Sequence, residues 1–263
     1  MARSIAGNVV LITGASRGIG QALAKALAAE GCRLGLLARD GAKVSELAAQ
    51  LGADSLALVA DVTDRTAVRA AVAALEARFG RIDVLVNNAG VGLTGVIADL
   101  DPEALERVFR VNVTGSLHAI QAVLPGMRAR RSGHIVNISS ILGKVAVPQT
   151  AGYAATKFAL QAISDGLRVE EAPSGIAVTV ICPGSTETDF RDNEVRAGSL
   201  LVTERPRVGA VTAERVAAQI VSAIRRRPRE VITTGFGRLL NVLDSAAPAL
   251  LDRILARTYH KKP

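Results

Sequence analysis

The chain contains 263 residues, of which 49% are hydrophobic, and it carries a formal net charge of +8. This length suits one large α/β domain or two small ones, and the apolar content is sufficient for a substantial core. No run of about 18 apolar residues occurs, so no membrane-spanning helix is expected.

The positive charge suggests two classes of partner, nucleic acid and an anionic membrane surface. However, the arginine clusters at residues 128–131 and 225–229 fall at predicted helix ends, where cations complement the helix dipole. No aromatic residues alternate with these arginines, as a single-strand binder requires. We therefore predict no nucleic-acid binding.

Both cysteines, Cys32 and Cys182, lie within apolar stretches and are expected to be buried thiols, as is typical of a reducing cytoplasm. The apolar run that begins at Asn8 leaves no room for a signal peptide, so a cytoplasmic location is predicted. The three histidines have no metal-ligand spacing, and no metal site is predicted.

The first predicted element is a buried strand over residues 8–13 (NVVLIT), followed by a glycine-rich turn and a helix to about Ala29. Glycines let the backbone approach a pyrophosphate, and a helix N-terminus adds N–H groups and a positive dipole end. The spacing G-x-x-x-G-x-G is not that of the commonest dinucleotide fingerprint, and a tight connection without a ligand is the alternative. The position after the first strand favours a nucleotide site built from Gly14, Ser16, Arg17, Gly18, Ile19 and Gly20.

The second predicted strand, residues 33–38, ends where a dinucleotide fold meets the adenosine ribose. Arg39 follows this strand, and Arg17 adds a second cation from the glycine turn. Two guanidinium groups suit a phosphate, which favours NADP(H) over NAD(H). In the competing interpretation Asp40 binds the ribose of NAD(H). We instead expect Asp40 to cap the helix that starts near Ala42.

Strands and helices alternate along the rest of the chain, which predicts a doubly wound parallel sheet with helices on both faces. The further predicted strands cover residues 55–60, 82–86, 135–138, 177–181 and 230–233, and helices are predicted over residues 65–79, 102–127 and 213–226. We predict one α/β domain over residues 1–263, a Rossmann-type fold with about seven parallel strands.

The predicted helix over residues 102–127 is capped by Asp101 and has Pro102 at its first position. Its middle reads VNVTG (111–115), and an asparagine with two β-branched residues and a glycine is poor helix material. We therefore expect a local kink near Asn112.

Short segments that are mostly polar follow the predicted strands at the carboxyl edge, where sheets of this kind bind ligands. The residues predicted to bind the cofactor there are Asp61, Val62, Asn88, Ala89, Gly90, Pro183, Gly184, Thr186 and Thr188, and Ser139 and Ser140 follow another strand at the same edge.

Tyr153 and Lys157 lie four positions apart, which places both side chains on one face of a helix. A neighbouring ammonium group lowers the pKa of a phenol, so such a pair can act as a general acid or base on an alcohol/carbonyl couple. Taken alone, the pair is equally a feature of an ordinary helix surface.

The last predictions concern two segments near the C-terminus. Residues 186–210 are polar with balanced charges and are predicted to form a substrate lid, which we call the lid segment. Residues 235–263 carry apolar residues at helical spacing, interrupted by Pro248. We expect this tail to pack on the domain or at a subunit interface, with peripheral docking on a membrane as the lesser alternative.

With these pieces in place, the sequence resembles the short-chain dehydrogenase/reductase family over nearly its whole length. The resemblance rests on Thr13-Gly14-x-x-x-Gly18-x-Gly20, Asn87-Asn88-Ala89-Gly90, Asn112, Ser140, Tyr153-x-x-x-Lys157 and Pro183-Gly184, in that order. The family's catalytic serine usually precedes the tyrosine by about thirteen positions, which selects Ser140 rather than Ser139.

The resemblance implies a role for each matched residue. Tyr153 would exchange a proton with the substrate oxygen, Ser140 would hold that oxygen, and Lys157 would lower the tyrosine pKa and bind the nicotinamide ribose. Asn112 would position a water that links Lys157 to solvent. The resemblance also assigns Asp61 to the adenine, Asn88 to the cofactor ribose region and Thr188 to the nicotinamide carboxamide.

The function implied is that of an NADPH-dependent carbonyl reductase, reversible as a secondary-alcohol dehydrogenase, that needs no metal. Its substrate would be a small ketone or secondary alcohol. A homodimer or homotetramer is also implied. The alternatives are an NADPH-binding sensor or scaffold without turnover and, less favoured, epimerase or dehydratase chemistry. Leu93, Leu142, Val145, Val147 and Phe190 are candidates for an apolar substrate pocket.

Overall fold

The computed structural model describes residues 3–202 and 208–259 of the chain. Its strands are β1 (Val9–Thr13), β2 (Arg33–Ala38), β3 (Ser55–Val59), β4 (Val84–Asn87), β5 (Leu93–Thr94), β6 (Gly133–Ile138), β7 (Ile176–Cys182), β8 (Thr186–Glu187), β9 (Val195–Arg196), β10 (Val211–Thr212) and β11 (Glu230–Ile232). Its α-helices are α1 (Gly18–Ala29), α2 (Gly41–Leu51), α3 (Arg65–Phe79), α4 (Pro102–Phe109), α5 (Gly115–Ala129), α6 (Ala151–Glu170), α7 (Ala213–Arg226), α8 (Gly235–Ala246) and α9 (Pro248–Tyr259).

Seven of the strands form one parallel sheet in the order β11-β7-β6-β4-β1-β2-β3. The strand order reverses between β1 and β4. From β1 the chain adds β2 and β3 on one side, and from β4 it adds β6, β7 and β11 on the other. In sheets of this type the crevice at such a reversal is where ligands bind. The predicted seven-stranded doubly wound sheet is confirmed.

Two apolar clusters cover the two faces of this sheet, and alternate residues of β1 belong to each. Val10 and Ile12 pack with residues of α1, α2 and α7, whereas Val9 and Leu11 pack with residues of α3 and α5. Every residue of β1 is buried. Burial on both faces explains why the strand sequence is continuously apolar rather than alternating.

The predicted helix over residues 102–127 is divided by a π-helical turn at Arg110–Thr114, and α5 continues from Gly115. The predicted kink near Asn112 therefore takes the form of one wider helical turn. At Gly115 an added Cβ would lie 2.7 Å from Val62 Cγ2, so this helix needs a glycine where it crosses the end of β3. Turns of this kind are frequent at functional sites.

The described part of the apolar tail forms two helices, α8 and α9, and α9 packs mainly on α8. Several large apolar side chains of this pair are exposed: Phe236, Leu239, Val242, Leu250 and Ile254. Among the described residues, no helix combines the length and the hydropathy needed to cross a membrane. Residues 260–263 of the predicted tail lie outside the described part of the chain.

Candidate active site

The carboxyl ends of β1 and β4 are joined by side-chain bonds. Thr13 Oγ1 accepts hydrogen bonds from the backbone N–H groups of Asn88 and Ala89, both at 3.0 Å. Asn88 Nδ2 donates in return to the carbonyl oxygens of Thr13 and Gly14, also at 3.0 Å. These bonds hold the two strand ends together at the reversal of strand order.

The glycine turn lies over this junction and leads into α1. Gly14 and Gly18 have φ of +66° and +53°, values that favour glycine. A Cβ on Gly20 would lie 2.3 Å from the Gly14 carbonyl oxygen, so the turn can close only with glycine there. Ser16 and Arg17 complete the turn, and Ile19 lies in the first turn of α1. This strand, turn and helix N-terminus fit a pyrophosphate.

Two arginines border the crevice, Arg17 in the glycine turn before α1 and Arg39 directly after β2. Arg17 Nη1 is 3.2 Å from Asp189 Oδ2, and Arg39 Nη1 is 3.7 Å from Asp61 Oδ2. All four side chains of these pairs are more than a third exposed, so the pairs are weak and open to exchange for another anion.

Asp40 serves as the helix cap that the sequence predicts. Its side chain accepts from the Lys43 backbone N–H at 3.1 Å at the start of α2. This hydrogen bond lowers the pKa of the Asp40 carboxyl.

Val62, also assigned to the cofactor, is buried, and its carbonyl oxygen is 3.0 Å from His118 Nδ1. This contact ties the end of β3 to α5.

Tyr153 lies in the first turn of α6 and faces Ser140. A hydrogen bond with the Ser140 hydroxyl acts to lower the pKa of the phenol, but desolvation outweighs it and the Glu194 carboxylate adds to the rise. The pKa therefore lies above its ordinary value, and the lowered pKa that the family resemblance implies is not found. Phe190 packs against the tyrosine with ring centroids 5.8 Å apart.

Lys157 is 4% exposed and follows Tyr153 by one turn of α6. Its Nζ donates to the Ile138 carbonyl oxygen at 3.0 Å and lies 5.7 Å from the centroid of the Tyr153 ring. Burial lowers the pKa of the ammonium from 10.5 to about 8. The lysine is therefore a desolvated cation behind the phenol.

The two neighbouring serines have different partners. Ser139 is buried, and its hydroxyl donates to the Lys157 carbonyl oxygen at 3.2 Å. Ser140 is partly exposed, accepts from the Leu142 N–H at 3.1 Å and bonds Tyr153. The structure thus places Ser140 at the phenol and gives Ser139 a bond to the backbone of the same helix.

Asn112 is fully buried in the π-helical turn and holds the chain that follows β4. Its Oδ1 accepts from the Val91 N–H at 2.8 Å, and its Nδ2 donates to the Val91 carbonyl at 2.9 Å and to Thr156 Oγ1 at 3.0 Å. A Cβ on Gly90 would lie 3.2 Å from Asn112 Oδ1 and 3.5 Å from Lys157 Nζ. Glycine at position 90 therefore lets this chain pass close to both groups.

The residues assigned to the cofactor after β7 line the opposite side of the crevice. The Pro183 carbonyl oxygen accepts from the Ile141 N–H at 2.8 Å, and the Gly184 N–H donates to Thr233 Oγ1 at 3.3 Å. The Thr186 hydroxyl donates to the Gly184 carbonyl at 3.1 Å. Thr188 reaches the glycine turn, with its Cγ2 at 3.4 Å from the position a Cβ on Gly18 would take. A cofactor seated on the turn would lie under this segment.

Part of the predicted lid segment is fastened to the domain. Strand β9 pairs in parallel with β5, and the Ser199 N–H donates to the Asp99 carboxylate at 3.1 Å. Residues 195–202 thus contact the domain, and so do Thr186 and Glu187, which pair as β8 with β10. The lid stays a prediction. Residues 203–207 of this prediction lie outside the described part of the chain.

Of the candidates for an apolar pocket, Phe190 and Leu93 are the two that lie against Tyr153, the latter in a small apolar cluster. Leu93 and Val145 are almost fully buried, whereas Leu142 and Val147 are partly exposed.

Sequence reasoning assigned no role to four residues that build this region: Thr13, Gln149, Thr156 and Glu194. Thr13 was visible as the residue before the glycine turn. For the others the sequence carries no signal, because their partners are distant along the chain.

Comparison with known proteins gives one consistent result. The family profile described as short chain dehydrogenase matches residues 8–198. The chain is 34% identical over 270 residues to mouse (Mus musculus) dehydrogenase/reductase SDR family member 7B, covering 97% of this chain and 82% of the mouse protein.

Solved structures agree with this match. A short-chain dehydrogenase from Streptomyces avermitilis superposes with a TM-score of 0.82 at 32% identity, covering 96% of this chain and 99% of that one. The 3-ketoacyl-(acyl-carrier-protein) reductase of Brucella melitensis, solved with NADH, gives a TM-score of 0.80 at 27% identity, covering 88% and 98%.

Proposed function

The chain belongs to the short-chain dehydrogenase/reductase family, and on that premise we propose that it is an NADPH-dependent carbonyl reductase that also works in reverse on secondary alcohols. Membership makes it an oxidoreductase acting on CH–OH and C=O groups. The choice of NADPH, the direction of reaction and the roles of the four site residues belong to the proposal.

The arrangement of Tyr153 carries this proposal. Its phenol lies against the Ser140 hydroxyl, and the ammonium of Lys157 lies behind its ring and bonds the carboxyl end of β6 at Ile138. A carbonyl oxygen placed at this point meets two hydroxyl donors backed by a cation. These are the groups that stabilise the negative charge a reduced carbonyl oxygen acquires.

The protonation states support reduction at neutral pH. Because desolvation raises the pKa of Tyr153, the phenol keeps its proton and can donate it to the substrate oxygen. Burial lowers the pKa of Lys157 to about 8, so the ammonium is still mostly charged at neutral pH. The nicotinamide cofactor supplies the hydride when it is bound, and the protein orients the partners.

Asn112 acts in this proposal through position. Its three side-chain bonds fix Val91 and Thr156, and thereby the backbone around Gly90 beside Lys157. Both polar atoms of the side chain therefore take part in holding the backbone beside the site.

The proposed preference for NADPH rests on two arginines that border the crevice, Arg17 and Arg39. A 2′-phosphate can replace the exposed carboxylates of Asp189 and Asp61 as their partner. Asp40, the acid that would favour a free ribose, already accepts the N-cap bond of α2. NAD(H) is the alternative cofactor, and the relative from Brucella was solved with NADH.

The test is oxidation of NADPH by the purified protein with a panel of ketones, run beside NADH. We expect turnover with NADPH, loss of turnover in Tyr153→Phe, and retained NADPH binding in that variant by fluorescence titration. Full turnover by Tyr153→Phe would refute the proton-transfer role. Tight NADPH binding without turnover of any ketone or alcohol would favour the non-catalytic alternative.

We also propose that the protein forms a homodimer through α5 and α6, the helices next to the site. Leu117 on α5 and Phe158 and Val169 on α6 are large apolar residues with exposed fractions of 36%, 43% and 76%. Sedimentation equilibrium measures the mass in solution, and a monomer at all concentrations would refute the proposal. A tetramer would point to α8 and α9 as a second contact.

A further inference from the structure

A small polar cavity of about 100 Å³ lies between β5, β9 and the chain that precedes α6. It is next to the proposed catalytic centre. Gln149, which lines it, comes four residues before Tyr153, and Glu194 lines it while its carboxylate also raises the pKa of Tyr153.

One wall of this cavity is held by the hydrogen bonds of Gln149. Gln149 is 3% exposed, and its side chain accepts from the N–H groups of Leu201 and Val202 at 2.9 and 3.1 Å and donates to the Val202 carbonyl at 3.0 Å. Its φ of +55° is uncommon for a residue with a side chain. Such a conformation persists only where the surroundings impose it, and it is often found at functional sites.

One wall presents a buried hydroxyl group that has no protein partner within the described residues. Thr94 is 2% exposed and lines the cavity, and its buried Oγ1 makes no hydrogen bond within the described residues. A buried hydroxyl without a partner is unfavourable. Since a hydroxyl both donates and accepts, it can pair with a ligand group of either kind.

The charges around the cavity cancel. Arg191 and Arg196 face it together with Asp192 and Glu194, two of each sign. Arg196 pairs in register with Thr94 across β9 and β5, so both side chains lie on the same face of this two-stranded sheet. Arg191 and Glu194 have contacts of their own. A balanced set of charges favours a dipolar group over an ion of either sign.

We propose that this cavity is a specificity subsite for an uncharged hydrogen-bonding group, a hydroxyl or a carboxamide, at the far end of the carbonyl substrate. This rests on the proposed carbonyl reductase function. Thr94 Oγ1 is the group that recognises the ligand, and Gln149 is a positioning residue that keeps the wall in place. An alkyl end would leave the threonine hydroxyl unpaired, and a carboxylate would lose its hydration without net attraction from a wall that carries two cations and two anions.

Kinetics with matched substrates test the subsite. Methyl ketones of increasing chain length are compared in forms that end in a methyl, a hydroxyl, a carboxamide or a carboxylate group. At the optimal length we expect kcat/KM to be about tenfold higher for the hydroxyl or carboxamide than for the methyl or carboxylate, the effect of one hydrogen bond at a buried partner. Equal kcat/KM across the four ends at every length would overturn the proposal.

Two substitutions at Thr94 separate recognition from structure. Thr94→Val has nearly the same shape and lacks the hydroxyl, so we expect it to lose the tenfold preference while keeping the wild-type kcat/KM for the methyl-ended ketone. Thr94→Ser retains the hydroxyl and should retain the preference. Because the hydroxyl has no protein partner, Thr94→Val should not lower the Tm. An equal fall in kcat/KM for all ketones, with a lower Tm, would show a structural role and refute the subsite.

Binding to a variant without turnover separates this proposal from the reductase function. Tyr153→Phe loaded with NADPH is titrated calorimetrically with the hydroxyl-ended and methyl-ended ketones, with and without Thr94→Val. Tighter binding of the hydroxyl-ended ketone that depends on Thr94 supports the subsite even if the wild type reduces neither ketone. Turnover of ketones without any such binding difference would leave the reductase function standing and refute the subsite.

Discussion

The buried ammonium of Lys157 leads to a prediction that needs neither cofactor nor substrate. Burial lowers its pKa from 10.5 to about 8 in the folded protein. The unfolded chain exposes the same group to water, where it titrates near its ordinary value of about 10.4. Between these two values the unfolded state binds the additional proton, so the free energy of unfolding rises with pH.

The size of this effect follows from the two titrations. Integration from about pH 7 to about pH 10 gives a gain of about 2–3 kcal/mol in unfolding free energy from this one lysine. Desolvation sets the sign of this change in unfolding free energy. Below the folded-state pKa the native state carries a buried charge, which is destabilising, and above that pKa the lysine has lost its proton and the cost is gone.

Lys157→Met removes this titration, and urea unfolding of the cofactor-free proteins at both pH values measures it. We expect the wild type to gain about 2–3 kcal/mol relative to Lys157→Met across the interval, since other groups cancel in the difference. Lys25 is exposed on α1, so Lys25→Met is the control that removes a lysine without removing a buried charge. Its unfolding free energy should change with pH as that of the wild type does. An equal pH dependence for wild type and Lys157→Met would refute the desolvated ammonium.

Three further predictions concern the residues that build the site. Gly20→Ala should lower the Tm and weaken NADPH binding because its Cβ would meet the Gly14 carbonyl, whereas Gly235→Ala, with open space around it, should change neither. Asn112→Ala should cost about 2–4 kcal/mol in urea unfolding and Thr156→Val about 1 kcal/mol, because the first leaves the buried partners of three hydrogen bonds unpaired. Greater loss in Thr156→Val would contradict this account. Arg128→Met should lower the Tm at neutral pH because Glu171, 1% exposed, would lose the cation that bonds its carboxylate. The Arg128 hydrogen bond lowers the Glu171 pKa, so the advantage of the wild type should shrink as the pH falls through the acid range. A difference independent of pH would refute the pairing.

The sequence was a good guide wherever a feature depends on neighbours along the chain. The apolar runs and the glycine turn predicted the strands, the sheet and the crevice, and most element bounds agree within two residues. Asp40 was predicted as a helix cap, and it is one. The VNVTG segment predicted a local irregularity, because poor helix formers at consecutive positions act on the same turn.

The prediction about ionisation was less successful, because the pKa of a buried group depends on its surroundings in three dimensions. A lysine one turn from a tyrosine predicts a lowered phenol pKa, but desolvation decides the direction in the folded protein and raises it. The polar composition of residues 186–210 predicts a lid along its whole length. No local pattern reveals that β9 pairs with β5 inside this segment, and the lid itself stays a prediction.

The sequence by itself determined the fold class and the pair of residues around which the site is built, since Tyr153 and Lys157 share a helix face through their spacing alone. Only the tertiary structure decided their environment. The bonds of Gln149 to Val202 span 53 positions, and Asn112 reaches Val91 across 21. Such contacts form when helices and strands pack, and they set which charges are desolvated. They also leave one buried hydroxyl beside the cavity, that of Thr94, without a partner among the described residues.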